Sequence, residues 1–299
     1  MKSLSILGLC LLLLSPYAVA TVKVFACEPE WKALVESIGG EHVDAFSATT
    51  AFQDPHYIEA RPSLIAKVRR ADLVVCTGAE LEIGWLPLLL RQSGNASIQT
   101  GQPGYFLAAM QVDRIEIPVE LDRSDGDVHA SGNPHVHWDP YNLLIIAKSL
   151  SQRLQIIDPA NANAYQQRLD EFSERWQAAI TRWEEQAIQL RGKKVIVYHK
   201  NWSYLLNWLG IEMVGDLEPK PGIPPTSAHL AALLDIVRSD PPDFILMANY
   251  QNDKGAQWLS KKTDIPVLQL PFTVGGSKQS NDLFALYDEV LSMLIKEGK

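Results

Sequence analysis

The sequence FSERWQAAITRWEEQAIQL, residues 172–190, places an apolar side chain at every third or fourth position. These positions are Phe172, Trp176, Ile180, Trp183, Ala187 and Leu190. Steps of three and four residues are typical of one face of an α-helix. The pattern begins after Asp158 and Pro159, predicted as N-cap and first helical residue, and Gly192 ends it. Such a helix, spanning 160–190, is long enough to bridge two lobes, although a core helix would carry the same stripe.

On both sides of this helix, short apolar runs typical of β-strands alternate with segments of helical periodicity. The predicted strands are Val22–Cys27, Val43–Phe46, Ala71–Cys76, Lys194–Tyr198, Glu212–Gly215, Asp243–Met247 and Val267–Leu270. The predicted helices are Glu30–Ile38, Pro62–Arg70, Leu81–Arg91, Trp202–Leu209, Ser227–Ser239, Gly255–Thr263 and Leu283–Lys296. This alternation predicts an α/β fold of two βαβ lobes, each a parallel sheet flanked by helices, joined by one long backbone helix. The lobes are residues 21–157 and 193–299, the connecting helix is 158–192, and a ligand is expected in the cleft between the lobes.

The first twenty residues have the composition of an export signal. A positively charged start is followed by an apolar run over Leu4–Leu14 and by the typical cleavage site Ala18-Val19-Ala20. The run is too short to span roughly 30 Å of hydrocarbon. We therefore expect a signal peptide over residues 1–20 that is cleaved after Ala20. Lipoprotein processing at Cys10 is not expected, because a bulky leucine precedes it.

Composition excludes several classes of protein. The 299 residues carry 27 basic and 35 acidic side chains, so the formal net charge is −8, which argues against nucleic acid as a partner. A hydrophobic content of 46% supports packed cores and excludes a disordered chain. Cys27 and Cys76 each end a predicted strand, so a disulfide and two buried thiols are both open, and their spacing matches no zinc-finger pattern.

Three of the seven histidines lie at comparable positions in the predicted fold. His56 lies in the loop after a strand, His135 lies before a helix, and His199 ends a strand. A proline precedes both His56 and His135 and stiffens the backbone that directs each ring. A single histidine is usually a surface or core residue, but neutral imidazole is the commonest protein ligand for Zn²⁺. An interlobe metal site and three unrelated histidines are therefore both open at this point.

The other four histidines are weaker candidates for the same site. His129 ends the short polar loop Asp122–His129, which is better explained as a solvated loop than as a route that hands metal inward. His137 follows His135 by two residues, and its direction is undecided in a turn. His42 and His229 have ordinary neighbours and are expected at the surface.

Five short segments resemble the zinc- and manganese-type solute-binding proteins of bacterial ABC importers, the cluster A-I binding proteins. The segments are Pro55-His56-Tyr57-Ile58-Glu59, Ala71-Asp72-Leu73-Val74-Val75, Gly78-Ala79-Glu80-Leu81-Glu82, Asn133–Pro140, and Tyr198-His199 with Trp202. Their order and spacing around the long helix match that family over almost the whole chain. The resemblance implies a periplasmic protein that captures a metal ion between its lobes and delivers it to a membrane permease. By the same resemblance, His56, His135 and His199 are the metal ligands.

The resemblance leaves the fourth ligand open. Many members supply an Asp or Glu from the loop after a late strand of the second lobe, but here no carboxylate follows until Asp282. Water, Glu218 and Asp282 are the alternatives. Three imidazoles without a charged oxygen donor favour Zn²⁺ over Mn²⁺ and Fe²⁺, which prefer harder ligands, while Cu²⁺ competes on affinity alone. Zinc is the expected cargo.

A zinc-dependent hydrolase or hydratase is the alternative function, because three histidines with an open water position also hold catalytic zinc. The sequence contains no H-E-x-x-H, G-x-S-x-G or P-loop motif. Glu59 lies three residues after His56, but family members carry a similar acid without known chemistry, so no enzymatic activity is expected. An adhesin-like surface protein is a third class. We expect a monomer, and a periplasmic metallochaperone as donor stays open.

Overall fold

A computed structural model describes residues 21–120, 126 and 128–298. The predicted signal peptide over 1–20 and most of the loop Asp122–His129 lie outside the described residues. The strands are β1 Val22–Ala26, β2 Val43–Ser47, β3 Leu73–Cys76, β4 Tyr105–Leu107, β5 Lys194–Val197, β6 Glu212–Asp216, β7 Phe244–Ala248 and β8 Val267–Leu270. The helices are α1 Pro29–Gly39, α2 Pro62–Arg69, α3 Leu86–Ser93, α4 Pro140–Ile157, α5 Ala162–Ala187, α6 Ser203–Leu209, α7 Ser227–Ser239, α8 Lys254–Thr263 and α9 Leu283–Glu297. Among the described residues, no helix combines the length and apolar composition needed to cross a membrane.

The strands form two parallel sheets, which confirms the predicted α/β class with two βαβ lobes. The order is β2-β1-β3-β4 in the N-terminal sheet and β6-β5-β7-β8 in the C-terminal sheet, so both lobes have the same topology. Central strands such as Leu73–Cys76 and Phe244–Ala248 are buried along their whole length, as expected for parallel strands covered by helices on both faces. The lobe boundaries given above stay a prediction.

Helix α5 contacts both lobes and joins their cores. Its predicted apolar stripe is buried, and it packs against α1 and α4 in the first lobe and α9 in the second. The indole N–H of Trp176 donates to the carbonyl oxygen of Pro140 at the start of α4, at 2.9 Å. The indole N–H of Trp183 donates to Asp288 Oδ1 on α9, at 2.6 Å. One continuous hydrophobic core therefore extends from the first sheet through α5 to the second.

The ends of the long helix differ from the prediction. Residues Ala162–Ala187 are α-helical, whereas Pro159–Asn161 and Ile188–Leu190 are short 3-10 turns. Asp158 is the N-cap residue of the first 3-10 turn and Pro159 is its first residue, as predicted, but the Asp158 side chain makes no capping hydrogen bond to the backbone. Its carboxylate instead accepts a hydrogen bond from the hydroxyl of Tyr165, in the first turn of α5, at 2.7 Å.

Helix α3 begins five residues later than predicted. The predicted span was Leu81–Arg91, but the helix starts at Leu86, and Pro87 lies in its first turn, where proline is tolerated. The preceding Ala79 and Glu80 have left-handed φ values of 47° and 62°, which interrupt a right-handed helix. Strand β4 was not predicted at all, because three residues are too few to show a periodic pattern.

Cys27 and Cys76 form a disulfide, which decides between the two alternatives left open by the sequence. Strands β1 and β3 are neighbours in the first sheet, and the backbone N–H of Cys27 donates to the carbonyl of Val75 at 2.8 Å. This pairing holds the two cysteine Cα atoms 4.8 Å apart at the carboxyl ends of the two strands.

Candidate metal centre

The rings of His56, His135 and His199 converge at the cleft between the lobes. Their centroids form a nearly equilateral triangle, with separations of 5.8, 5.7 and 5.8 Å. One nitrogen of each ring lies within 4.8 Å of the other two. His56 is in the loop after β2, His135 precedes α4, and His199 lies two residues after the end of β5. The structure thus brings together three residues that are far apart in sequence.

A carboxylate fixes the orientation of two of these rings. Asp54 Oδ1 lies 2.7 Å from Nδ1 of His56 and accepts the backbone N–H of the same residue at 3.0 Å. Glu218 Oε2 lies 2.6 Å from Nδ1 of His199 and accepts the backbone N–H of Gly222 at 3.0 Å. Because a carboxylate only accepts, each Nδ1 carries the proton and each Nε2 keeps its lone pair.

Burial acts to raise the pKa of Asp54, but the side-chain and backbone hydrogen bonds from His56, together with the charges of His56 and His199, outweigh it and hold that pKa below its usual value. Asp54 is therefore an anion at neutral pH, as an orienting carboxylate needs to be. Sequence analysis did not identify Asp54, although its position two residues before His56 was the available signal.

His135 completes the triangle without an orienting carboxylate. Its Nε2 is buried and has no hydrogen-bond partner among the described residues. Burial, followed by the nearby imidazoles, holds the pKa of His135 well below its usual value, so the ring is neutral. A buried nitrogen lone pair without a partner is costly unless a ligand satisfies it. The site therefore offers imidazole nitrogens, the donor type that Zn²⁺ and other late first-row metals accept.

Both lobes hold the loop that carries His135. The side-chain amide of Asn133 donates to Glu116 Oε2 at 2.8 Å and to the carbonyl of Lys200 at 2.7 Å. The hydroxyl of Tyr204 donates to the carbonyl of Asn133 at 2.9 Å. Because Lys200 follows His199 directly, these contacts fix the two histidines relative to each other.

Two clefts border the three rings. One has a volume of about 440 Å³ and is lined by His129, His135, His199 and Lys200, among others. The other has a volume of about 220 Å³ and contains His56 and His199 together with Tyr57, Glu218 and Tyr250.

Neither carboxylate considered as a fourth ligand is placed as one. Asp282 is the N-cap of α9, where its Oδ1 accepts the backbone N–H of Ala285 at 2.8 Å, and it lines a different surface hollow. The alternative that placed it at the metal is therefore wrong. Glu218 does lie at the site, but its close contact is with Nδ1 of His199, so it acts through that ring.

His129 is nearer to the site than predicted. Its Nε2 lies 3.2 Å from Nε2 of His56, and the two ring centroids are 5.3 Å apart. The expectation of a merely solvated loop is wrong for this residue. His137 points away from the three rings: it is buried, with Nε2 3.3 Å from the carbonyl of Phe272 and Nδ1 3.5 Å from Glu30.

The two histidines expected at the surface are partly buried and lie outside the group. His42 packs edge-on against Tyr165, and Nε2 of His229 lies 2.9 Å from the carbonyl of Asp216.

A group of buried acids in the first lobe was also not predicted from the sequence. Glu28, Glu30 and Glu82 are each at most 2% exposed. Burial raises the pKa of Glu82 to about 7, although the backbone N–H groups of Gly78 and Thr77 donate to it and act in the opposite direction. Burial and the neighbouring carboxyl groups raise the pKa of Glu28 well above its usual value. Through the hydrogen bonds from Thr77 and Gly78, Glu82 holds the loop after β3 that precedes α3.

Comparison with known proteins identifies the family. The family model described as "Zinc-uptake complex component A periplasmic", ZnuA, matches residues 24–296. The chain belongs to the ZnuA family. This is a family of solute-binding transport proteins, so the chain is a metal-binding component of an ABC importer and not an enzyme. The zinc hydrolase alternative is thereby dropped. Components of this kind work with a membrane permease and an ATPase.

Relatives of this ZnuA-family chain share about a quarter of its residues or slightly less over most of its length. The manganese ABC transporter substrate-binding lipoprotein PsaA of Streptococcus pneumoniae is 23% identical over 263 residues, which cover 87% of this chain and 83% of that protein. The metal ABC transporter substrate-binding lipoprotein SloC of Streptococcus mutans is 25% identical over 292 residues, covering 93% and 92%.

Solved structures share the fold. The crystal structure of ZnuA superposes with a TM-score of 0.72 at 19% identity, covering 91% of this chain and 98% of that one. A manganese-bound periplasmic metal-binding protein from Candidatus Liberibacter asiaticus has a TM-score of 0.75 at 17% identity, covering 93% and 99%. At these identities the likeness establishes the two-lobed fold alone.

Proposed function

We propose that this chain captures Zn²⁺ in the periplasm through Nε2 of His56, His135 and His199 and delivers it to the permease of its importer. The observation that carries the proposal is the convergence of three imidazoles, one nitrogen of each lying within 4.8 Å of the other two. Two have Nδ1 bound to a carboxylate, and the third has a buried Nε2 without a partner. Export through a signal peptide cleaved after Ala20 belongs to the same proposal.

The donor set supports zinc over manganese, although PsaA is named a manganese protein and one similar structure holds manganese. Mn²⁺ sits low in the divalent affinity order and prefers oxygen ligands, whereas Zn²⁺ binds imidazole at roughly 2.0–2.1 Å. The carboxylates that contact these rings, Asp54 and Glu218, are engaged with Nδ1 of His56 and of His199. Iron and manganese would lack the oxygen ligand they favour, and copper would compete on affinity alone.

Titration of the purified mature protein with Zn²⁺ and Mn²⁺, each in competition with a chromophoric chelator, tests the proposal. We expect tight binding of one Zn²⁺, much weaker binding of Mn²⁺, and loss of zinc binding in His199→Ala. His229→Gln is the matched control, because it removes an imidazole outside the group while an amide can still reach the carbonyl of Asp216.

Binding of Mn²⁺ as tight as that of Zn²⁺ would refute the zinc preference, and an unchanged zinc affinity in His199→Ala would refute the site. Elemental analysis of protein purified from the periplasm identifies the metal it carries in the cell. The expected monomer and the metallochaperone donor stay predictions.

A further inference from the structure

A fourth imidazole approaches the three that converge at the cleft. Nε2 of His129 lies 3.2 Å from Nε2 of His56, the nitrogen that the Asp54 contact leaves with a lone pair. Two nitrogens bound to one tetrahedral Zn²⁺ at roughly 2.05 Å are about 3.3 Å apart. The observed separation is therefore close to that of two ligands of the same ion, and the hydrogen bond between the two nitrogens keeps the rings at that distance.

A tight turn holds the backbone of His129. The N–H of Gly132 donates to the carbonyl of His129 at 3.1 Å, and Gly132 has a φ of 95°, a conformation that favours glycine. An added Cβ at Gly132 would come within 2.8 Å of the carbonyl oxygen of Ile115. The turn is thus packed closely against the backbone at Ile115.

Glu80 ties this turn to the first lobe. Its carboxylate accepts the backbone N–H of Ser131 at 3.0 Å and the Ser131 hydroxyl at 2.6 Å, while Arg114 Nε donates to the carbonyl of Ser131 at 2.6 Å. Glu80 has a left-handed φ of 62°, and a non-glycine residue in that region persists only where its surroundings determine it. Glu80, in its left-handed conformation before α3, thus positions the turn next to His129.

We propose that His129 is the fourth ligand of the zinc site, an assignment that rests on the function proposed above. In the hydrogen bond to His56, Nε2 of His129 carries the proton. On binding, that proton leaves Nε2 to solvent, the ring takes up a proton from solvent at Nδ1, and the lone pair freed on Nε2 binds the metal. Four neutral imidazoles leave the ion with a charge of +2, which the carboxylates of Asp54 and Glu218 offset through His56 and His199. A nitrogen-only tetrahedral site selects against manganese, which favours oxygen donors.

The test compares His129→Ala with the wild-type protein, with His199→Ala and with the control His229→Gln. Zinc affinity is measured by chelator competition, and the visible spectrum of the Co²⁺-substituted protein reports the number and type of ligands. We expect His129→Ala to bind zinc at least about tenfold more weakly, the lower end of the loss seen when even an outer-shell partner is removed. Its Co²⁺ spectrum should change as solvent replaces a nitrogen, whereas His229→Gln should match the wild type in both measurements.

The outcomes separate the two proposals. If His129→Ala keeps the wild-type zinc affinity and Co²⁺ spectrum while His199→Ala loses zinc, the fourth-ligand assignment is overturned and the three-histidine site stands. If His199→Ala also binds zinc normally, both are overturned. Thermal unfolding of each metal-free variant shows that a loss of affinity does not come from a loss of folding.

Discussion

Replacing Glu218 by Ala should weaken zinc binding without removing any proposed ligand. Glu218 accepts a hydrogen bond from the Nδ1–H of His199 at 2.6 Å. Because Glu218 is only about 9% exposed, water cannot simply take its place. Without the carboxylate, the ring loses its fixed tautomer, its orientation and part of its basicity. Loss of such a partner lowers metal affinity about 10- to 100-fold, or roughly 1.4–2.7 kcal/mol. Chelator competition on the purified protein measures this change.

Two controls separate the effect on His199 from damage to the fold. Glu218 also accepts the N–H of Gly222, so the metal-free variant should lose about 1–3 kcal/mol of unfolding free energy, measured by urea denaturation. Glu218→Gln keeps an acceptor but not the charge, and should fall between the wild type and Glu218→Ala in zinc affinity. Asp54→Asn makes the matching change at His56. A zinc affinity within about twofold of wild type for a folded Glu218→Ala protein would refute the orienting role.

Three other measurements address stability and motion. Burial raises the pKa of Glu82 from 4.5 to about 7, so the protonated form stabilises the fold below pH 4.5 and this contribution, about 3 kcal/mol, is lost as the pH rises through 7. In urea unfolding of the metal-free protein, Glu82→Gln should reduce the change of unfolding free energy with pH. An unchanged pH dependence would contradict the raised pKa of Glu82. Replacing Cys27 and Cys76 by Ser opens a cross-link 49 residues apart in sequence and should cost about 4 kcal/mol of unfolding free energy; an unchanged denaturation midpoint would argue against a stabilising disulfide. Small-angle scattering should give the same radius of gyration with and without zinc, and a clear contraction on adding zinc would disprove the limited motion argued below.

Most of the fold follows from local periodicity in the sequence. The apolar stripe from Phe172 to Leu190 identified the helix that joins the lobes, because a period of three to four survives at any position in the fold. The start of α3 could not be found in this way. Thr77 and Gly78 donate their backbone N–H groups to the buried Glu82, and the chain turns through left-handed residues before the helix begins. No propensity pattern encodes such a contact.

The candidate site was predictable only in part, for a related reason. His56, His135 and His199 stand beside prolines or at strand ends, which are visible in the sequence. The position of His129 depends on contacts across 51 residues, from Ser131 to Glu80, and across 73 residues, to His56 itself. A short polar loop has the same composition whether it is solvated or held as a tight turn, so its sequence favoured the wrong interpretation.

The lobes are linked too closely for zinc capture to depend on wide hinge closure. Asn133 in the first lobe donates to the carbonyl of Lys200 in the second, and the hydroxyl of Tyr287 on α9 donates to the carbonyl of His137 at 2.7 Å. The hydrophobic core also runs without a break through α5. Opening the cleft would break these buried hydrogen bonds at about 1–3 kcal/mol for each group left without a partner and expose packed aromatic rings. We therefore expect the permease to detect zinc through local ordering of the loops that carry His56, His129 and His199, which line the two open clefts.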